Sequence, residues 1–247
     1  MAYYDVNVSG SNVLLEVMQA HSCHRLVFSS SATVYGEPKY LPYDENHPVA
    51  PITPYGRTKL MVEQMLGDWS AAHPERSALS LRYFNPVGAH PSGLIGEDPL
   101  GRPNNLMPFI AQVAVGTRSG LQIFGDNYDT RDETGERDYL HVVDLAKAHV
   151  LSLKALVEQV GHDVINVGTG HGVTVTEMVK AFEIACGRSI KTCTGARRAG
   201  DVASSFANNE RALIRLGWKA KLSLADMCRD TWNWQSQNSG GYKASEY

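Results

Sequence analysis

The chain has 247 residues, a formal net charge of −3, 43% hydrophobic residues and 20% charged residues, the composition of one large globular domain or of one domain with a smaller lobe. That balance supplies no basic surface for nucleic acid or an anionic membrane, and no apolar run approaches the ~20 residues of a membrane span. The four cysteines, Cys23, Cys186, Cys193 and Cys228, lack a Cys-x-x-Cys spacing, and none of the nine histidines falls in a metal-binding pattern, so isolated thiols of a reducing compartment and no metal site are expected. Residues Met1 to Asp5 carry neither a basic region nor an apolar signal core, which with the thiols gives a cytosolic expectation.

Asn7 to Ala20 reads as a helix with Val13, Leu14, Val17 and Met18 along one side. Arg25 to Ser29 is a short apolar run suited to a buried parallel strand. A polar loop, 37–51, leads to a second helix. Thr53 is placed to cap it, Pro54 suits its first turn, and Met61, Val62, Met65 and Leu66 continue it. Ala78 to Phe84 is the next strand, and strands alternating with helices imply a parallel α/β sheet. Beyond Asn85 the pattern loosens. A helix over about 108–115 and a strand over 121–124 follow a Gly- and Pro-rich stretch, and 125–138 reads as an exposed acidic loop. Tyr139 to Asp144 leads into a helix ending near Val157, and Asp163 to Gly168 is a buried strand. Thr174 to Cys186 is an amphipathic helix opened by a Thr-Val-Thr-Glu capping pattern.

A dinucleotide-binding sheet opens with a strand, a glycine-rich turn and a helix. No Gly-x-Gly-x-x-Gly follows a leading strand here, and Gly168-Thr-Gly170-His-Gly172 lies late and reads as a strand-to-helix turn. The expected fold is therefore an α/β, doubly wound parallel sheet that starts in mid-sheet, with a smaller C-terminal α/β lobe.

The chemistry is carried by Ser29-Ser-Ser31-Ala-Thr33-Val-Tyr35-Gly36 and by Tyr55-Gly-Arg-Thr-Lys59. A phenol titrates near pH 10, too high for a base at neutral pH, and a nearby cation favours its phenolate. Tyr55 and Lys59, four apart on a helix, share a face. Ser31 would hydrogen-bond the same substrate oxygen. A bare Tyr-x-x-x-Lys arises by chance in roughly one chain of this length in three, so the weight rests on its company: the serine-rich strand end upstream and Tyr83-Phe-Asn-Pro-Val-Gly88 downstream.

With those blocks, and with Pro103-Asn-Asn-Leu-Met-Pro108, Arg137-Asp-Tyr-Leu-His-Val-Val-Asp144 and Arg197-Arg-Ala-Gly-Asp201, the sequence resembles the UDP-hexose 4-epimerase branch of the extended short-chain dehydrogenase/reductase family, nearly end to end. The resemblance implies a sheet of the NAD-binding Rossmann type, NAD as cofactor, a UDP-hexose substrate and interconversion of UDP-galactose and UDP-glucose. Tyr55 would be the base, Ser31 its partner, and Lys59 a ligand of the nicotinamide ribose, with Tyr83 near the nicotinamide. Ala32, Thr33 and Phe84 would lie beside the substrate and Asn85 would contact its diphosphate. Asn104, Asn105, Leu106, Gln122, Ile123 and Phe124 would line the UDP pocket. Arg137 and Arg198 would pair with the diphosphate, as a guanidinium fork suits phosphate oxygens, and Asp201 with a uridine ribose hydroxyl. Ser205 falls where small residues accompany acceptance of N-acetylated sugars. Val34, where sugar-nucleotide dehydratases place an acidic residue, speaks against elimination. The resemblance further implies a homodimer, residues 1–90 as the remaining NAD-binding part, and 91–247 as mainly the UDP-sugar lobe with 121–170 partly returning. It also implies a preceding segment bearing the glycine-rich turn; the competing reading is a non-catalytic product that binds UDP at most.

Overall fold

The computed structural model describes residues 1–242. In chain order the elements are α1 (Gly10–Ala20), β1 (Arg25–Ser29), α2 (Pro54–Ala71), β2 (Ser77–Tyr83), β3 (Asn85–Val87), α3 (Leu106–Ala114), β4 (Leu121–Phe124), β5 (Glu136–Arg137), β6 (Tyr139–His141) and α4 (Val142–Ala155). They continue with β7 (Gly161–Val167), β8 (Val173–Thr174), α5 (Val175–Cys186), β9 (Thr192–Gly195), α6 (Glu210–Leu216) and α7 (Leu224–Gln237). A π-helical segment, Tyr4–Ser9, runs into α1, so that helix begins earlier than its hydrophobic spacing suggests. The chain divides into two compact units: residues 1–84, 145–170 and 205–219, and residues 85–144, 171–204 and 220–242.

In the first unit β1, β2 and β7 form a parallel sheet with β2 central, in the register Ser29 opposite Leu81 and Leu81 opposite Ile165. The central strand is buried along nearly its whole length, as a parallel strand covered on both faces should be, whereas β1 is only half-buried because it lies at an edge. Leu15 and Met18 of α1 pack with Val62, Leu66 and Trp69 of α2 and with Ala78. Each aliphatic side chain removed from water there contributes roughly 1.5–3 kcal/mol. The expected apolar side of α1 is corrected by this contact: Val13, Leu14 and Val17 are exposed. A helix apolar around much of its circumference does not declare which stripe it will bury. On α2 the same holds for Met61, which is exposed beside buried Val62. A second cluster gathers Val34, Tyr35, Tyr43, Phe84 and Ala207, with the Tyr35 and Tyr43 rings stacked at 4.8 Å.

The second unit is built from short pairs: β3 with β6 and β4 with β9, both parallel, and β5 with β8, antiparallel. Helices α3, α5 and α7 enclose Met107, Ile110, Met178, Phe182, Met227 and Cys228. The Thr174 hydroxyl accepts the Glu177 amide while the Glu177 carboxylate accepts the Thr174 amide, a reciprocal cap that starts α5 as its sequence predicts. Ser223 and Asp226 repeat the device on α7. The stretch 125–138 departs from the exposed loop expected of it: Tyr128, Thr134, Glu136 and Asp138 are buried. Its polar groups satisfy one another and their neighbours, with Asp132 accepting from the hydroxyls of Thr134 and Thr174. Among the described residues no helix is long and apolar enough to cross a membrane.

Candidate active site

In the first unit β1 ends at Ser29 and the chain turns through Ser30. Ser31 then caps a single 3-10 turn, Ala32–Val34, its oxygen accepting the Thr33 amide at 3.2 Å and the Thr33 hydroxyl at 3.0 Å. Helix α2 starts where Thr53 accepts the Gly56 amide at 3.1 Å, with Pro54 in its first turn. Its opening turn carries Tyr55 and Lys59 to the serine-rich turn. A β-carbon at Gly56 would stand 2.7 Å from the Thr33 carbonyl oxygen, so only glycine allows α2 this close to the Ser31–Thr33 backbone. Gly56 is a residue that the sequence analysis does not single out; the signal available was a glycine inside a helix directly after the tyrosine.

The Ser31 side chain lies beside the Tyr55 side chain. The Lys59 ammonium donates to the Ser29 carbonyl at 2.9 Å, and its Nζ stands 5.0 Å from the Phe28 ring centroid and 5.5 Å from that of Tyr55. Tyr3 meets the Tyr55 ring edge-on at 5.7 Å. Burial, then the neighbouring Tyr83 phenol, push the Tyr55 hydroxyl above its ordinary pKa; the Ser31 hydroxyl works the other way. Burial also lowers the Lys59 ammonium. Both shifts disfavour charge, and a further cation beside the Tyr55 phenol would ease loss of its proton. Ala32 and Tyr83 are half-buried and Thr33 is exposed, while the Phe84 side chain is buried beside Tyr43 and its amide donates to the Val167 carbonyl. Ser205 is half-buried.

The second unit holds the remaining sequence-predicted residues. The Asn85 amide donates to the Asp138 carbonyl at 3.0 Å, which seats β3 on β6. Asn104 and Asn105 are exposed just before α3, Asn105 donating to Glu97 at 3.4 Å, and Leu106 packs on the core of this unit. Gln122, Ile123 and Phe124 follow one another on β4, beside β9, where a β-carbon at Gly195 would collide with the Gln122 side chain. The Arg198 guanidinium lies 3.9 Å over the Phe124 ring, and Arg137 reaches the Asp201 carboxylate at 3.5 Å and the Glu136 carbonyl at 2.8 Å. Arg197 covers the Tyr128 ring at 4.0 Å and donates to Asn127 Oδ1 at 2.6 Å. The stacking role of Arg197 and Tyr128 is absent from the sequence analysis, because a tyrosine inside an acidic stretch gives no periodic signal. Cations held over aromatic faces keep their donors directed outward, an arrangement suited to an anionic ligand with a planar part.

Residues 1–168 match the model of the NAD dependent epimerase/dehydratase family. The chain is 55% identical over 241 residues to a UDP-glucose 4-epimerase of Bos taurus, a match covering 97% of this chain and 69% of that protein. The crystal structure of the UDP-glucose-4-epimerase of Stenotrophomonas maltophila with bound NAD and formylated UDP-arabinopyranose superposes with a TM-score of 0.94 at 52% identity, over 96% of this chain and 71% of that one. That of Bifidobacterium longum, in complex with NAD+ and UDP, gives 0.94 at 50% identity, over 98% of this chain and 72% of its own. The α/β fold with its parallel strands, the Ser31–Tyr55–Lys59 cluster and identity at this level over almost the whole length agree, and the chain belongs to the UDP-glucose 4-epimerases of the NAD dependent epimerase/dehydratase family.

Proposed function

We propose that the chain interconverts UDP-galactose and UDP-glucose by inverting C4 of the hexose. The observation that carries this reading is the contact of Tyr55 with Ser31 and Lys59 on neighbouring turns of the first unit. Tyr55 takes the proton from the hexose 4-hydroxyl and returns it after the sugar has turned over. Ser31 holds the reacting oxygen beside the phenol. Lys59 supplies positive charge, and its ammonium, with one N–H given to Ser29, keeps donors for a ribose hydroxyl. NAD, when bound, supplies the hydride acceptor and donor at C4. The residues present fit that cofactor: Lys59 keeps free donors for a ribose, and a cationic ring next to the buried Tyr55 phenol would offset the cost of its ionisation. We assign residues 1–90 to NAD and the acid–base chemistry. UDP-sugar recognition goes mainly to 91–247, with 121–170 partly returning to the first task.

In the second unit Arg137 and Arg198 pair with the diphosphate, Asp201 takes a ribose hydroxyl, and Asn104 to Leu106 with Gln122 to Phe124 border the uridine. Tight hold on UDP and loose hold on the hexose suit a sugar that must rotate between the two half-reactions. The working form is a cytosolic homodimer. Ser205, with its short side chain, admits the N-acetylated pair UDP-GlcNAc and UDP-GalNAc. Ser205→Tyr is expected to remove turnover of the N-acetylated pair and retain that of the parent pair, and an unchanged N-acetylated rate would sink that part.

The deciding experiment is turnover of UDP-galactose by the purified chain with added NAD. Tyr55→Phe is expected to lower it by about 10²–10⁴-fold, the usual share of a general base. A folded chain that binds UDP but never turns over would leave the non-catalytic alternative standing.

A further inference from the structure

Tyr55, Lys59 and Glu63 stand four residues apart on α2 and so share one face. The three consecutive serines at the end of β1 meet them one to one. Ser31 lies beside Tyr55, the Ser29 carbonyl accepts from Lys59, and the Ser30 hydroxyl donates to Glu63 Oε1 at 2.5 Å. The first two contacts belong to the chemistry proposed above, and the third has had no role so far.

Glu63 is 4% exposed and Ser30 is wholly buried. A carboxylate there needs a partner, and Arg82 of β2 supplies a two-pronged one, Nε to Oε1 at 2.9 Å and Nη2 to Oε2 at 2.6 Å. Burial works against the Arg82 charge, but the Glu63 hydrogen bonds and charge more than offset it and hold the guanidinium above its ordinary range. Arg82 also lies 4.9 Å over the Tyr35 ring, whose hydroxyl donates to Asn166 Oδ1 on β7 at 2.7 Å. His162 of β7 is a further titratable group near enough to feel the Glu63 charge, and its Nε2 meets the Ser80 hydroxyl at 2.8 Å. On the far side of the turn the Ser29 hydroxyl donates to His149 Nε2 at 3.1 Å, while His149 Nδ1 donates to the Leu145 carbonyl.

A buried ion pair is a poor device for stability alone, since an apolar pair of similar volume holds elements together at a smaller desolvation cost. Its better use is to fix register, and the register here is that of α2 on the end of β1. We propose that Glu63 is a positioning residue for the reaction: through Ser30 it fixes the β1 turn against α2 and so keeps the Ser31 hydroxyl within reach of Tyr55 and the Ser29 carbonyl on Lys59. The proposal rests on the epimerase reading, although the contacts it concerns are those of the fold itself. With the tie cut, the Ser30–Ser31 backbone is free to move, and Tyr55 is left with Lys59, Tyr83 and Tyr3 as its polar and aromatic neighbours. Burial then holds its proton more tightly.

Ser30→Ala in the full chain is the sharpest probe, because it leaves the Glu63–Arg82 pair intact. Glu63→Gln is the second variant and tests the charge. Two quantities are read: the pH profiles of kcat and KM for UDP-galactose with NAD present, and the ultraviolet titration of Tyr55, obtained by subtracting the same variant carrying Tyr55→Phe. Ser30→Ala is expected to lower kcat about tenfold to a hundredfold with KM within about twofold, and to move the Tyr55 midpoint to higher pH. A parent-like kcat together with a parent-like Tyr55 midpoint in Ser30→Ala overturns the proposal, as does a folded Glu63→Gln with the parent midpoint. Should the parent show no turnover at all, the epimerase reading fails, and the titration still decides whether Glu63 sets the geometry.

Discussion

The two units hold their functional side chains by opposite means. In the first, Lys59 is tied to the Ser29 backbone and Ser31 to Thr33 by hydrogen bonds at the end of a buried parallel sheet, with Tyr55 between them and an ion pair nearby. In the second, Arg198 is exposed and rests on the flat face of Phe124, and Arg137 is half-buried against Asp201. Proton transfer tolerates little displacement, so its groups are tied from several sides. Binding a polyanion needs charge that stays hydrated until the ligand arrives, and a ring under a guanidinium orients it without burying it.

The comparison breaks most visibly at Gly56. Gly56→Ala pushes a methyl group into the Thr33 carbonyl and should cost about a hundredfold in kcat, with UDP affinity unchanged by calorimetry. Equal loss of UDP affinity would mean that the two sets of residues are not separable. Arg198→Ala tests the other side. Losing the proposed charge-assisted contact to phosphate should weaken UDP binding about tenfold, and Arg198→Lys should recover only part of it, because the fork and the stacking are gone. Its kcat at saturating substrate should stay near that of the parent.

The smallest effect is one of pH on the second unit. His141 is buried, its Nδ1 accepts the Val143 amide and its Nε2 meets Asp230 at 3.2 Å. Burial holds its pKa below the ordinary 6.5, more than Asp230 raises it. The unfolded chain therefore takes up this proton first as pH falls. The contribution to stability is complete above about pH 6.5 and is lost as pH drops through the lowered folded value. Denaturant melts at pH 7.5 and 5.5 should show the parent losing more stability over that interval than His141→Gln; equal losses would remove His141 from the account.

Much of the first unit was legible from sequence because its signals are local. Thr53-Pro54 marks a helix start whatever surrounds it, and Arg25 to Ser29 can hardly be anything but a strand. Which face of α1 is buried was not legible, since Val13, Leu14, Leu15, Val17 and Met18 are all apolar and only the packing partner α2 selects Leu15 and Met18. In the second unit β3 and β9 are three and four residues long and exist through their partners β6 and β4. Helix α7 hides its apolar stripe of Met227, Cys228 and Trp234 among Asp, Arg, Asn and Gln. The Ser31–Tyr55–Lys59 cluster could be anticipated from residue type and spacing. Gly56 and the Glu63–Arg82 pair could not, because they matter through a close approach and a burial that only the folded backbone creates.

The chain passes between the two units five times, after Phe84, Asp144, Gly170, Ser204 and Lys219. Neither unit is thus a contiguous stretch of gene. A recombination event that replaced the second unit would have to exchange three separate segments at once. If Ser205 sets sugar acceptance as proposed, one substitution there is a shorter route to a new substrate range than an exchange of whole units.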